Sequence, residues 1–189
     1  MRTSYIILLS LTLFFSCTDL FDTRTPADPQ GMGQVNELYS IKEFMDNFKS
    51  SLSESNKETY LLMFSEFSDN TGDYQFVPVN DVDSILFLDW DVNNEKNFID
   101  DFFNKFYFKE FNLSPSEFEE TIEDSTNIIF EYNGVIVDVE TGIDFNFSGD
   151  CDLKLKKISG LWFLTLWKDS RKNQTDVYSF TSVKKPYIN

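Results

Sequence analysis

Histidine is missing from all 189 residues. Its absence removes the commonest general base near neutral pH and the commonest metal ligand, so acid–base chemistry here would fall to carboxylates and tyrosine. Positive charge is scarce as well, with 16 Lys and Arg against 32 Asp and Glu and a formal net charge of −16. A phosphate backbone is bound by clustered cations, so nucleic acid is not expected as a partner. The excess acid reads first as a solvated, mutually repelling surface. Cysteine occurs twice, at Cys17 and Cys151, far apart in the chain. There is no glycine-rich phosphate loop, nucleophile elbow or zinc spacing. Fixed-period repeats and long low-complexity tracts are lacking too.

What the chain has in quantity is aromatic side chains, 17% of residues, including 21 Phe, within a hydrophobic content of 41%. Such a composition builds a packed body rather than a disordered one. The length suits one domain preceded by a leader, large enough to bury a core without staples.

The leader is residues 1–16: a short head carrying Arg2, then an apolar run from Tyr5 to Phe15, then the small residue Ser16 before Cys17. A spanning helix needs roughly 20 apolar residues, so the run has the length of a signal-peptide core instead. The order resembles the lipobox of bacterial lipoproteins, in which a peptidase cuts before a cysteine whose thiol has received diacylglycerol. Phe14 and Phe15 depart from the usual Leu and small or β-branched residue of that box. An ordinary secretory signal with a chance cysteine is the alternative. The resemblance implies diacylglycerol and an amide-linked acyl chain on Cys17, no other cofactor, and a membrane-anchored place in the cell envelope, with inner and outer membrane both open. Two or more acyl chains hold a protein to a bilayer where one holds it only marginally.

Residues 17–34, rich in Pro, Gly and polar side chains, read as a flexible tether. The domain is expected over 35–189. Ile41, Phe44, Met45, Phe48 and Leu52 mark one face of a helix over about 37–52, capped by Ser40 or Asn36. Ser55 to Glu58 reads as a capping box for a second helix. Residues 68–73 form a turn, and Tyr74 to Val79 a strand that Pro78 sends to an edge. Ser84 to Trp90 reads as a turn or short helix. A third helix is expected over about 95–108, capped by Asn93 or Asn94, with Phe98, Ile99, Phe102, Phe103 and Phe106 on its face. Ser114 and Pro115 signal a further helix start or a loop. After Ser125 the pattern turns to strands: a hairpin turning at Asn133 and Gly134, a strand burying Phe145, Phe147, Cys151, Leu153 and Leu155, and an internal strand from Leu161 to Lys168. The fold class expected is α+β, N-terminal helices packed on a curved antiparallel sheet.

Three stretches carry a second resemblance: Asn56 to Phe67 with the strand Tyr74 to Pro78, then Trp90 with Glu95 and Phe102 with Phe103, and finally Leu155 to Asp169. In that order they resemble the nuclear transport factor 2-like domain, the cystatin-like, SnoaL-like cone found in many bacterial lipoproteins. The resemblance implies a cone-shaped α+β domain. Enzymes of that fold place an Asp, Tyr or His inside the cone; here no single Asp or Tyr stands out, and no catalytic, cofactor-binding or metal-binding residue is assigned. Asp89 to Glu95 spaces oxygen ligands as a calcium loop does but lacks that loop's glycine and terminal glutamate, so it also reads as a helix cap. Trp90, Trp162 and Trp167 are candidates to line a cavity, or equally to fill it. Cys151 reads as a small core residue. The expected role is a lipid-anchored, non-catalytic binding or scaffolding module, with a homodimer or an envelope protein as candidate partner. The alternative is a small-molecule-binding or isomerase- or dehydratase-like enzyme that uses the cavity.

Overall fold

The computed structural model describes residues 38–64, 74–79, 84–115, 118–171 and 177–187. Cys17, the leader over 1–16, the tether over 17–34 and the turn over 68–73 lie outside them. Chain contacts separate 1–33 from 34–189, and every described residue belongs to the second unit. Among the described residues no helix is long and apolar enough to cross a membrane.

Helix α1 spans Ile41–Ser53 and opens on Ser40. The Ser40 hydroxyl accepts from the Glu43 amide at 3.1 Å, and the Glu43 carboxylate accepts from the Ser40 amide at 2.9 Å. This reciprocal box satisfies two of the amides that a helix start leaves over. The next two, of Ile41 and Lys42, donate to the Glu120 carboxylate at 3.0 and 2.9 Å. A distant acid therefore caps the positive end of the helix. Helix α2, Lys57–Leu62, is capped by Asn56, which accepts from the Thr59 amide. The expected cap, Ser55, instead takes φ 53° in the link between the helices.

The remaining elements are β1 (Gln75–Val79), a 3-10 turn (Ser84–Phe87), α3 (Val92–Lys105), β2 (Phe106–Ser114), β3 (Ser125–Asp138), β4 (Asp144–Ile158), β5 (Leu161–Arg171), β6 (Val177–Tyr178), α4 (Phe180–Lys184) and a second 3-10 turn (Lys185–Tyr187). The strands form one sheet in the order β1-β5-β4-β3-β2, with β6 also beside β4. β2 to β5 pair antiparallel, as expected. The sheet as a whole is mixed, because β1 joins β5 in parallel and β6 joins β4 in parallel. β5 leaves β4 at Gly149, and β6 takes up the edge at Asn146 and Phe147.

Three expectations fail for reasons visible in the backbone. The third helix stops at Lys105, since Phe106 is already extended at φ −136° and ψ 152°. The aromatic stripe that suggested more helix continues into β2, where a bulge between Phe108 and Glu110 keeps Phe108 and Phe111 both buried. Ser114 is the end of that strand rather than a helix start. Asn133 and Gly134 lie in the middle of β3, where Gly134 faces Phe111 on one side and Phe147 on the other. Glycine is required there because a Cβ would overlap the Glu110 carbonyl of the bulged strand. The chain reverses between β3 and β4 around Gly142 instead, at φ 69°.

Along β4, Phe147, Gly149, Cys151, Leu153 and Leu155 face inward with the expected parity. Above them α1 sets Phe48 against Phe111, Phe130, Trp167 and Phe180, with ring centroids 5.4 to 6.3 Å apart. Tilted and edge-on pairs of this kind add to the burial of each ring. Gly149→Ala is expected to destabilise the protein by about 1–3 kcal/mol, because the new methyl would meet the Tyr132 hydroxyl in a full core. A urea midpoint that falls at unchanged slope checks this.

Candidate functional site

An acid on an apolar helix face needs a partner. Glu95 lies three and four residues before Phe98 and Ile99, on the buried stripe of α3, and is itself wholly buried. The start of α3 is set by Asp91, whose carboxylate accepts from the Asn93 and Asn94 amides at 2.8 and 3.0 Å. Trp90, just before that cap, turns its indole inward and donates to Glu95 Oε2 at 2.7 Å. The Tyr74 hydroxyl donates to Oε2 at 2.9 Å, and the Tyr60 hydroxyl donates to Oε1.

The cation comes from the far end of the chain. Helix α4 opens on Ser179, which exchanges capping bonds with Ser182. Its last residue, Lys184, is wholly buried. Lys184 Nζ donates to Glu95 Oε1 at 2.6 Å and to Oε2 at 2.8 Å. The same ammonium stands 3.9 Å from the Trp167 ring centroid, 4.1 Å from that of Phe76, 5.2 Å from Phe98 and 5.6 Å from Trp90. Ring faces attract a desolvated cation, so the aromatics supply part of what water would. Burial still pulls the Lys184 pKa below its ordinary 10.5, against the upward effect of Glu95.

A second buried acid holds the start of the same helix. Asp169 Oδ2 accepts from the Thr181 amide at 2.7 Å and from its hydroxyl at 2.6 Å, and Oδ1 accepts from the Tyr132 hydroxyl at 2.8 Å. Tyr132 in turn accepts from the Phe180 amide at 3.0 Å. Burial raises the Asp169 pKa, while bonds from Thr181 and Tyr132 oppose the rise. The Trp167 indole donates to Cys151 Sγ at 3.2 Å, and burial first, then Asp169, raises that thiol well above its ordinary range. Cys151 is a free, buried thiol.

Of the three tryptophans singled out from the sequence, Trp90 and Trp167 stand at the Lys184 ammonium. Trp162 is buried elsewhere, its amide bonded to the Leu38 carbonyl and Lys157 over its ring. Asp91 and Glu95, read as possible calcium ligands, are committed to the helix cap and to Lys184. The residues sequence reasoning missed are Glu95 as a core partner, Asp169, Lys184 and the three tyrosines.

No protein-family model and no curated protein matches this chain. Solved structures do. A protein from Novosphingobium aromaticivorans described as a candidate scytalone dehydratase superposes with a TM-score of 0.55 at 14% identity, over 72% of this chain and 84% of that one. A ketosteroid isomerase-like protein from Erwinia carotovora atroseptica gives 0.52 at 12%, over 72% and 97%. A nuclear transport factor 2-like protein of unknown function in nutrient uptake, from Rhodospirillum rubrum, gives 0.51 at 11%, over 68% and 95%. The fold is the nuclear transport factor 2-like cone. Glu95, Lys184 and Asp169 lie inside the cone, among its buried aromatic side chains, with α4 as the element that brings the cation in.

Removing one member of a buried pair strands the other. Lys184→Met is expected to lower stability by about 3–5 kcal/mol, and the double variant Glu95→Gln with Lys184→Met to recover much of the loss, as judged by urea denaturation. Alkaline pH gives a separate check. Burial, followed by the neighbouring carboxylates, holds Tyr60, Tyr74 and Tyr132 protonated well above the ordinary 10.0. The unfolded chain ionises these groups near 10 while the folded chain does not, so stability falls as pH rises through that value. Lys184 acts in the opposite sense over a window ending at 10.5, one group against the three tyrosines and the Cys151 thiol. Spectroscopic titration should find three of the 8 Tyr ionising only on unfolding.

Proposed function

We propose that this protein is a lipid-anchored component of a bacterial cell envelope whose cone is a non-catalytic binding or scaffolding module. The leader over 1–16 and Ser16 before Cys17 support the anchor: peptidase cleavage at Cys17, diacylglycerol on its thiol and an acyl chain on its new amino group. The tether over 17–34 then holds the cone near the membrane and raises its effective concentration for partners there. Loss of the leader removes Arg2 and leaves the body more acidic, so an anionic bilayer repels the body while the acyl chains retain it.

The observation that supports binding over catalysis is the state of the interior acids. A general base must offer a lone pair to a substrate proton. Glu95 already accepts from Lys184, Tyr60, Tyr74 and Trp90, and Asp169 from Thr181 and Tyr132. A second reading, an isomerase- or dehydratase-like enzyme, draws on buried tyrosine–carboxylate pairs and on the neighbours named ketosteroid isomerase-like and as a candidate scytalone dehydratase. It requires those donors to be given up. As for a homodimer through the open sheet face, that face carries Asp152, Lys154 and Lys156 beside exposed Ile129, at 70%, and Tyr107, at 45%, and the charged side chains favour a solvated surface over an apolar seam.

Feeding cells an alkyne fatty acid should label the wild-type protein and leave Cys17→Ala unlabelled. Equal label on both proteins would refute the anchor.

A further inference from the structure

The interior of the cone holds one ammonium in a cage of ring faces, and that ammonium belongs to the chain's own segment over 177–187. An ammonium held by one carboxylate, which Tyr60, Tyr74 and Trp90 fix in place by donating to it, within a cage of ring faces has the chemistry of amine recognition. A core made only for stability would do as well or better with an apolar side chain of similar volume in place of a lone buried ion pair. Phe180 and Lys184 are four residues apart and so lie on one face of α4. Phe180 sits 4.6 Å from the Trp167 ring centroid, 4.8 Å from that of Tyr132 and 4.9 Å from that of Phe147. Trp167 therefore touches both the ring and the ammonium of the segment.

The segment joins the sheet through a short stretch of strand, and its helix is held by the Phe180 and Thr181 amides at Tyr132 and Asp169. β6 meets β4 at two positions only. α4 has 5 residues, and the chain beyond it returns to the surface at Lys185 and Pro186. Its withdrawal leaves the order β1-β5-β4-β3-β2 intact. We propose that residues 177–187 are an internal, displaceable ligand, and that the site around Glu95, Trp90, Phe76 and Trp167 takes a free primary aralkylammonium in place of Lys184. This rests on the reading of the cone as a binding module and is independent of the anchor at Cys17.

The probe is phenethylamine, added to the full-length chain in mild detergent, with phenylacetate as the anionic control. Tryptophan fluorescence reports the cage, and hydrogen exchange at the Phe180 and Thr181 amides reports the segment. Saturable binding of the amine, absent for phenylacetate, should accompany faster exchange at both amides. Lys184→Met removes the competing ammonium and weakens the hold of the segment, and should bind at least about tenfold more tightly, since apparent affinity scales with the fraction of open sites. Glu95→Gln with Lys184→Met should not bind. Equal affinity in wild type and Lys184→Met, or no saturation in a folded Lys184→Met, overturns the proposal. If Lys184→Met fails to fold, exchange in the wild type decides: amide protection unchanged by saturating amine overturns the proposal as well. Recovered amine is analysed too. Its conversion to product would refute the non-catalytic reading while upholding the site, whereas absence of binding would refute the site and leave acyl label on Cys17 unaffected.

Discussion

A carboxylate removed from water must be matched by charge and donors in fixed positions, and in this protein that requirement falls on Glu95. Everything around it answers the demand. The Asp91 cap sets the helix that carries Glu95, and Trp90 turns its indole inward beside that cap. α2 and the lead into β1 bring Tyr60 and Tyr74. The chain's last helix brings Lys184. Desolvating a carboxylate and an ammonium together is unfavourable unless the geometry is complete, so the arrangement tolerates few alternatives.

Asp169 repeats the logic one strand away. It takes the amide and hydroxyl of Thr181 near the start of α4 while Glu95 takes the last side chain of the same helix, so both ends of one short element are fixed by buried acids. A 5-residue helix has little stability of its own. Its order comes from these contacts and from Phe180 among the rings of Phe48, Tyr132, Phe147 and Trp167. The polar and aromatic parts of the core are thus one structure, with Trp167 contributing to both.

Much of this was legible in the chain. The α1 stripe and its Ser40 cap, the parity of β4 and the internal place of β5 follow from patterns with many repeats, and tertiary structure had no reason to override them. The failures sit where one local signal serves two structures. Asn133 and Gly134 match a tight hairpin, but the glycine answers a bulge in β2 that only the paired register reveals. The Phe102, Phe103 and Phe106 spacing reads as helix although the backbone has turned to strand at Phe106. Glu95 was readable in principle, as an acid in line with Phe98, Ile99 and Phe102. Its partner was not, because nothing local pairs positions 95 and 184, and α4 is too short to show a period. The expectation at Cys17 rests on residue order alone and lies outside the described residues.

The ion pair joins residues 89 apart, and its cationic half follows every strand of the sheet in the chain. During synthesis, with the amino end emerging first, Glu95 leaves the ribosome long before Lys184 exists to meet it. β1 likewise waits for β5, which arrives on the far side of β2, β3 and β4. The nascent chain therefore cannot seal its interior as it grows. Closure is deferred until α4 has been made, so the interior of this domain is completed only after every strand of its sheet has been synthesised.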